Sequence, residues 1–168
     1  MSALTVKMGS GTWTINGGYV TDLWDVTDSE EFPVTIIPET STIKVIGDES
    51  NQYFYGGGKT YNDLWITTNG SHFGADSDTF NNLKIDAGVT TYFSDTTTIS
   101  SLTATGSEGN IITLAGDNGA WSFSCASGII SCNYLNISNS TAEGGATFYA
   151  GENSIDGGNN SGWIFTAP

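Results

Sequence analysis

The stretch YNDLWI at residues 61–66 decides the fold, because the chain repeats it. The repeated frame is an apolar residue, two small or polar residues, leucine, any residue and an apolar residue. Its later copies are FNNLKI at 80–85, ISSLTA at 99–104 and CNYLNI at 132–137. The leucines are 19 residues apart twice (64 to 83, 83 to 102) and then 33 apart (102 to 135): Leu64, Leu83, Leu102 and Leu135. A fixed period near 20 residues is typical of stacked repeats.

The frame fits a strand that follows a corner. Leu64 and Ile66 are two residues apart, so on a strand they point to one side and Trp65 points to the other. Tyr61 precedes Leu64 by three residues, which would place it on the wrong side of a continuous strand. A corner at 62–63 removes the conflict, because Asn and Asp adopt turn conformations and bond locally to the backbone.

The same corner returns in the next two repeats, at 81–82 and 100–101. Stacked polar side chains there predict a hydrogen-bonded ladder along the repeats. A 19-residue repeat has a contour of about 60 Å, enough for about three short strands. The sequence therefore predicts an all-β protein, a parallel β-helix (β-solenoid) with capped ends. The alternative is an antiparallel β-sandwich whose hairpins resemble one another.

Composition changes divide the chain into three regions. Residues 1–40 contain short strands between glycines and are interpreted as N-terminal strands that form a cap or an attachment segment. Residues 41–138 hold the solenoid repeats. Residues 139–168 are rich in Gly, Asn and Ser and are predicted to be a loop-rich C-terminal cap, as an open solenoid end needs covering.

Charge excludes several classes of partner. The chain has 18 acidic residues and four basic ones, all lysines, and a net charge of −14 at pH 7. Such a balance argues against binding to nucleic acid or to anionic membranes. The densest acidic run, from Asp22 to Glu31, is interpreted as a solvated loop; the alternative, a calcium site, lacks the regular ligand spacing of known loops.

Neither a signal peptide nor a membrane-spanning run is visible, so we expect the protein to be made in a cytosol. Cys125 and Cys132 occupy apolar positions of the strand pattern and are expected to be buried, reduced thiols rather than a disulfide. The single histidine, His72, is far from both cysteines in sequence, so no zinc-ligand spacing exists. We predict no metal site and no cofactor.

From residue 42 onward the sequence resembles a repeat region common in predicted proteins of tailed phages and environmental bacteria. The segments that carry the resemblance are GGGKTYN at 56–62, TFNNL at 79–83 and GWIFT at 162–166. The resemblance implies a β-helix-like structural protein of a virion or a cell surface. It supplies no catalytic residues.

We therefore expect a non-enzymatic phage virion protein, and more narrowly a capsid-decorating (cement) protein located in the virion. Glycoside hydrolysis would need two carboxylates at a set distance on one face, for which Asp63 with Asp86, or Asp76 with Asp78, are the candidates. A surface of charge −14 would repel an anionic glycan. The alternative function is a receptor- or glycan-binding module of a tail fibre, tailspike or bacterial surface protein. A chain that starts at Met1 and ends after a cap, with no shaft, favours decoration over a fibre tip.

Three residues are the candidate binding site for a protein interface or a glycan. Trp24 and Trp65 should point outward if the leucine before each points inward, and an outward tryptophan marks a contact surface. Lys84 replaces Trp65 one repeat later and should stack on it as a cation–π pair. The alternative is that a loop or the N-terminal segment covers Trp65.

The expected partners are copies of the same chain and phage proteins. A short solenoid has two open ends and a limited core, so we expect a homo-oligomer, with a trimer as its size. The other expected partners are capsid or tail proteins, with a host surface glycan under the alternative function. The first 40 residues are the expected contact with the particle.

Overall fold

The computed structural model describes residues 4–17, 21–27, 33–47, 51–74 and 77–168. These residues form nineteen β-strands and no helix. The first nine are β1 (Leu4–Lys7), β2 (Thr12–Asn16), β3 (Thr21–Asp25), β4 (Val34–Ile37), β5 (Thr42–Ile46), β6 (Gln52–Tyr55), β7 (Thr60–Ile66), β8 (Ser71–Phe73) and β9 (Thr79–Ile85). The others are β10 (Thr90–Phe93), β11 (Thr96–Ala104), β12 (Ile112–Gly116), β13 (Trp121–Cys125), β14 (Ile129–Ser131), β15 (Leu135–Ile137), β16 (Ser140–Gly144), β17 (Thr147–Tyr149), β18 (Ile155–Asp156) and β19 (Trp163–Ile164).

The strands pair in parallel with strands one coil earlier and one coil later, which confirms the parallel β-solenoid. The first sheet has the order β16-β13-β11-β9-β7-β5-β2, and the second has the order β18-β15-β12-β10-β8-β6-β3. Two smaller sheets complete the structure, β14-β17-β19 and β1-β4. From β5 to β12 the strands along the chain alternate between the first and second sheets, so each of these coils contributes one strand to each sheet.

The predicted leucine column is confirmed for three of its four members. Leu64 pairs with Leu83, and Leu83 pairs with Leu102. All three side chains are at most 8% exposed. Leu135 is different, because it lies in the second sheet beside Ile112.

An insertion explains why the fourth copy was misplaced. The coil that begins with β11 contains an extra turn, closed by hydrogen bonds between Ser107 and Asn110. The hydroxyls of Thr96 and Ser122, on neighbouring coils, are therefore 26 residues apart in sequence, which exceeds the regular period. Of the two interpretations that the long interval before Leu135 allows, one coil with an insertion is the closer.

The predicted corner is also present. Tyr61 and Leu64 are both buried although they are three residues apart on β7, so the inward side of the strand changes between them. At this corner Asn82 donates a hydrogen bond to Asp63, and Ser101 donates one to Asn82 across 2.6 Å. Each of these bonds joins residues 19 apart, which confirms the polar ladder.

The glycines before β7 have a defined role. Gly57 and Gly58 both have φ of +66°, a conformation that glycine adopts without steric cost. The turn leads the chain into β7 and places the Gly56 carbonyl 2.9 Å from the Tyr61 hydroxyl, which donates to it.

The parallel ladder extends beyond both predicted region boundaries. Strand β2 pairs with β5, so the first sheet begins before residue 41. At the other end β16 pairs with β13 and β19 pairs with β17, so strands continue through residues 139–168. The C-terminal segment therefore adds coils to the solenoid as well as ending it.

Candidate functional site

Trp65 lies on the outer side of the first sheet between two lysines. In the parallel register Lys44, Trp65 and Lys84 are neighbours on β5, β7 and β9. The Lys84 ammonium is 3.8 Å from the centre of the Trp65 ring, and the Lys44 ammonium is 4.0 Å from it. The predicted cation–π pair between Trp65 and Lys84 is confirmed, and the structure adds Lys44 on the opposite face of the ring. We call these three residues the tryptophan column.

Hydrogen bonds fix the orientation of the indole. Trp65 Nε1 donates to a carboxylate oxygen of Asp86 across 2.9 Å, and the same carboxylate lies 3.6 Å from the Lys84 ammonium. Beside the ring is a pocket of about 300 Å³, lined by the polar side chains of Asp63, Asn82 and Ser101 among others. The ring is therefore half-buried and held in a single orientation, which is what a preformed binding surface needs.

Lys44 differs from Lys84 in its electrostatic surroundings. Within the described residues Lys84 has the Asp86 carboxylate as an ion-pair partner, whereas the ammonium of Lys44 contacts the Trp65 ring and no carboxylate. Two of the four basic side chains of the protein thus lie on one tryptophan, and one of the two lacks a countercharge among those residues.

Trp24 does not point outward, and this prediction was wrong. Its ring stacks on the buried Phe54 with 6.1 Å between centroids, and its Nε1 donates to the Tyr61 hydroxyl across 3.1 Å. The cause is an irregularity in the register: Asp22 pairs with Tyr53 but Trp24 pairs with Phe54. Leu23 is thus an extra residue, which shifts Trp24 to the inward side.

The N-terminal end of the core carries exposed apolar surface. Trp13 packs edge-on against Trp24 at a centroid distance of 6.1 Å and is 38% exposed. Leu4 on β1 is 59% exposed. Sequence reasoning did not single out Trp13, although its position on the first predicted strands was the available signal.

The second sheet carries an aromatic column that sequence analysis missed. The rings of Tyr53, His72 and Tyr92 stack on β6, β8 and β10, with centroid distances of 4.8 Å and 4.6 Å. We call these three residues the tyrosine column. The signal was present in the equivalent positions of His72 and Tyr92, but the partner in the preceding coil was not recognised.

Carboxylates surround the tyrosine column. The imidazole Nδ1 of His72 is 2.8 Å from an Asp117 oxygen. Tyr55 stacks on Tyr53 with nearly parallel rings, and both line a cleft of about 530 Å³ together with Asp95 and Asp117. Burial, together with the charges of nearby carboxylates such as Asp117, raises the pKa of Tyr55. The cleft therefore combines aromatic rings with a negative potential.

The carboxylates considered for catalysis have structural contacts. Asp63 accepts hydrogen bonds within the polar ladder, and Asp86 binds Trp65 and Lys84. Asp78 is buried and accepts a hydrogen bond from the backbone of Lys59. Three acidic residues of the run at 22–31, and one further candidate, lie outside the described residues: Asp28, Glu30, Glu31 and Asp76.

Both cysteines are confirmed as free, buried thiols. Burial raises the pKa of Cys132 to about 12. Among the described residues, no cluster of three or more His, Cys, Asp or Glu side chains is arranged to hold a metal ion. That part of the chain also contains no helix long and apolar enough to cross a membrane.

Comparison of the chain with protein-family models, with curated proteins and with solved structures finds no match.

Proposed function

We propose that this protein is a non-enzymatic structural protein of a phage virion, and that it decorates the capsid as a closed homo-oligomer, with a trimer as the expected size. The observation that carries the proposal is the tryptophan column. An oriented indole between two lysines on the outside of an acidic solenoid is a protein-contact anchor, because Trp residues in ordered settings dominate interface energetics.

The charge of the chain supports a closed assembly. A net charge of −14 makes two randomly oriented copies repel each other, so that unrestricted strand-to-strand growth is disfavoured. Lys44 and Lys84 provide a local site where another acidic surface can approach. Association is thereby limited to one specific surface.

The exposed N-terminal end is the proposed contact with the particle. Leu4 and Trp13 expose apolar surface there, and an exposed apolar patch is a common mark of a protein interaction site. The outer faces of the two large sheets are then left for contacts between copies.

Co-sedimentation with phage capsids stripped of their decorating proteins tests the proposal. Leu4→Asp should weaken binding, because it places a carboxylate in the apolar contact. Ile129→Asp is the matched control, since Ile129 is 68% exposed on β14 and receives the same new side chain. Full binding by both variants, or no binding by the unmodified protein, contradicts capsid decoration.

A second candidate function, glycan binding, is favoured by the cleft of the second sheet. Tyr53 and Tyr55 offer flat apolar rings, and Asp95, Asp117 and Asn118 offer hydrogen-bonding groups around them. Aromatic rings with a few convergent polar groups are typical of small-molecule sites. Tyrosine fluorescence during titration with neutral oligosaccharides checks this function, with Tyr55→Ala expected to abolish a saturable change.

A further inference from the structure

The tryptophan column and the tyrosine column lie on the same three coils of the solenoid. Strands β5, β7 and β9 carry Lys44, Trp65 and Lys84, and each is followed in the chain by the strand that carries the corresponding member of the tyrosine column. Those following strands are β6, β8 and β10. The two columns therefore run side by side along neighbouring faces at equal heights.

The two columns also have complementary chemistry. One presents two ammonium groups, of which that of Lys44 has no carboxylate partner among the described residues. The other presents tyrosine rings flanked by Asp22, which pairs with Tyr53 in the register, and by Asp117, which contacts His72. Cations are attracted both to aromatic rings and to carboxylates.

Cyclic symmetry makes the equal heights meaningful. Rotation about an axis parallel to the solenoid moves a second copy sideways without changing the height of any coil. A surface on one face then meets a surface on the neighbouring face of the next copy, coil for coil, in a heterologous contact that closes into a ring. The number of subunits depends on the angle between the two faces.

We infer that the tryptophan column of one copy docks against the tyrosine column and Asp22 of the next copy. This contact rests on the self-association in the proposed function and names its surfaces. Lys44, on β5, faces Tyr53 and Asp22 on β6 and β3 of the neighbour, because β6 belongs to the same coil as β5. Lys84 faces Tyr92 two coils further along.

Charge-swap variants of the full chain test the contact in solution. Lys44→Glu should place a carboxylate against Asp22, and Asp22→Lys should place an ammonium against Lys44. Each substitution alone should weaken association by about tenfold or more, because like charges then face each other across the contact. The chain that carries both substitutions should associate again, since the carboxylate introduced at position 44 of one copy then meets the ammonium introduced at position 22 of the next.

The matched control is Glu108→Lys. Glu108 is exposed in the turn at 106–110, away from both columns, and the substitution changes the net charge as Asp22→Lys does. Sedimentation velocity and light scattering at micromolar concentration supply the mass. Glu108→Lys should keep the mass of the unmodified protein.

The outcomes separate this contact from the proposed function. A monomeric unmodified protein, single swaps that keep the oligomer, or a double swap that does not restore it would each overturn the contact. If the protein is monomeric and neutral oligosaccharides bind at Tyr55, the cleft serves a glycan instead. Capsid co-sedimentation is scored separately: capsid binding by a monomeric protein leaves decoration standing, whereas a restored oligomer that ignores capsids refutes decoration alone.

Discussion

The ammonium of Lys44 lies 4.0 Å from the centre of the Trp65 ring, on the face opposite to that of Lys84. The two lysines belong to different coils, so the contact arises only when the solenoid is folded. Each cation gains from the ring, and the ring is kept from rotating. The arrangement joins three successive coils on the outside, where the apolar core contributes nothing.

Replacement of both lysines should therefore affect the stability of the folded chain. Lys44→Met with Lys84→Met keeps the apolar stems but removes the cations, and we expect the free energy of unfolding to fall by about 1–2 kcal/mol, at about 0.5–1 kcal/mol for each exposed cation–π contact. Urea unfolding followed by circular dichroism measures the change. Lys7→Met is the control, because Lys7 pairs with Glu39 on the surface and its loss should give no measurable change.

The leucine column provides a test of the core. Leu83 is 1% exposed and lies between Leu64 and Leu102. Leu83→Ala should lower the free energy of unfolding by about 2–5 kcal/mol, since it removes buried methyl groups and leaves a cavity. Leu4→Ala, at a leucine that is 59% exposed, should change stability by less than about 0.5 kcal/mol. Equal effects in chemical denaturation would contradict the stacked column.

Cys132 should make stability depend on pH in the alkaline range. Burial raises its pKa to about 12, while an unfolded thiol has a pKa near about 8.5. The neutral thiol thus stabilises the fold fully below about pH 8.5, and this contribution is lost as the pH rises towards the folded pKa, at up to about 1.4 kcal/mol per pH unit.

Cys132→Val should remove that part of the pH dependence. Because Tyr61 also has a pKa raised by burial, the quantity to measure is the difference between the variant and the unmodified protein in urea unfolding at pH values from neutral to about 10. The difference should shift in favour of the variant as the pH rises. A constant difference would mean that the Cys132 thiol titrates alike in the folded and unfolded chain.

The sequence predicted what depends on the regular 19-residue period. The leucine column, the corner at 62–63 and the contact of Lys84 with Trp65 all join coils of that length. Periodicity in sequence becomes vertical stacking in space only while the coils keep one length. For that reason the prediction is accurate in the middle of the chain.

Departures from the period account for what sequence reasoning missed. The Thr42 and Asp63 side chains, on paired positions of β5 and β7, are 21 residues apart, so the same offset hides Lys44 from a search at the regular period. Leu135 was misplaced because of the extra turn at 107–110. These events depend on turn geometry and on local register, which residue types alone do not specify.

Trp24 and Trp65 provide the sharpest test, because both follow a leucine and the sequence treats them alike. Trp24 stacks on Phe54 and contacts Tyr61 in the core, so Trp24→Ala should cost about 3 kcal/mol or more. Trp65 lies outside the sheet on lysine side chains, and Trp65→Ala should cost less than about 2 kcal/mol.

Association should show the opposite order of effects. At a temperature where both variants remain folded by circular dichroism, Trp65→Ala should dissociate the oligomer, since it removes the aromatic centre of the proposed contact. Trp24→Ala should retain the mass of the unmodified protein, because its ring reaches no outer face that the contact uses. Light scattering on both variants measures this, and an oligomer that survives Trp65→Ala but not Trp24→Ala would move the contact from the first sheet to the N-terminal end of the core.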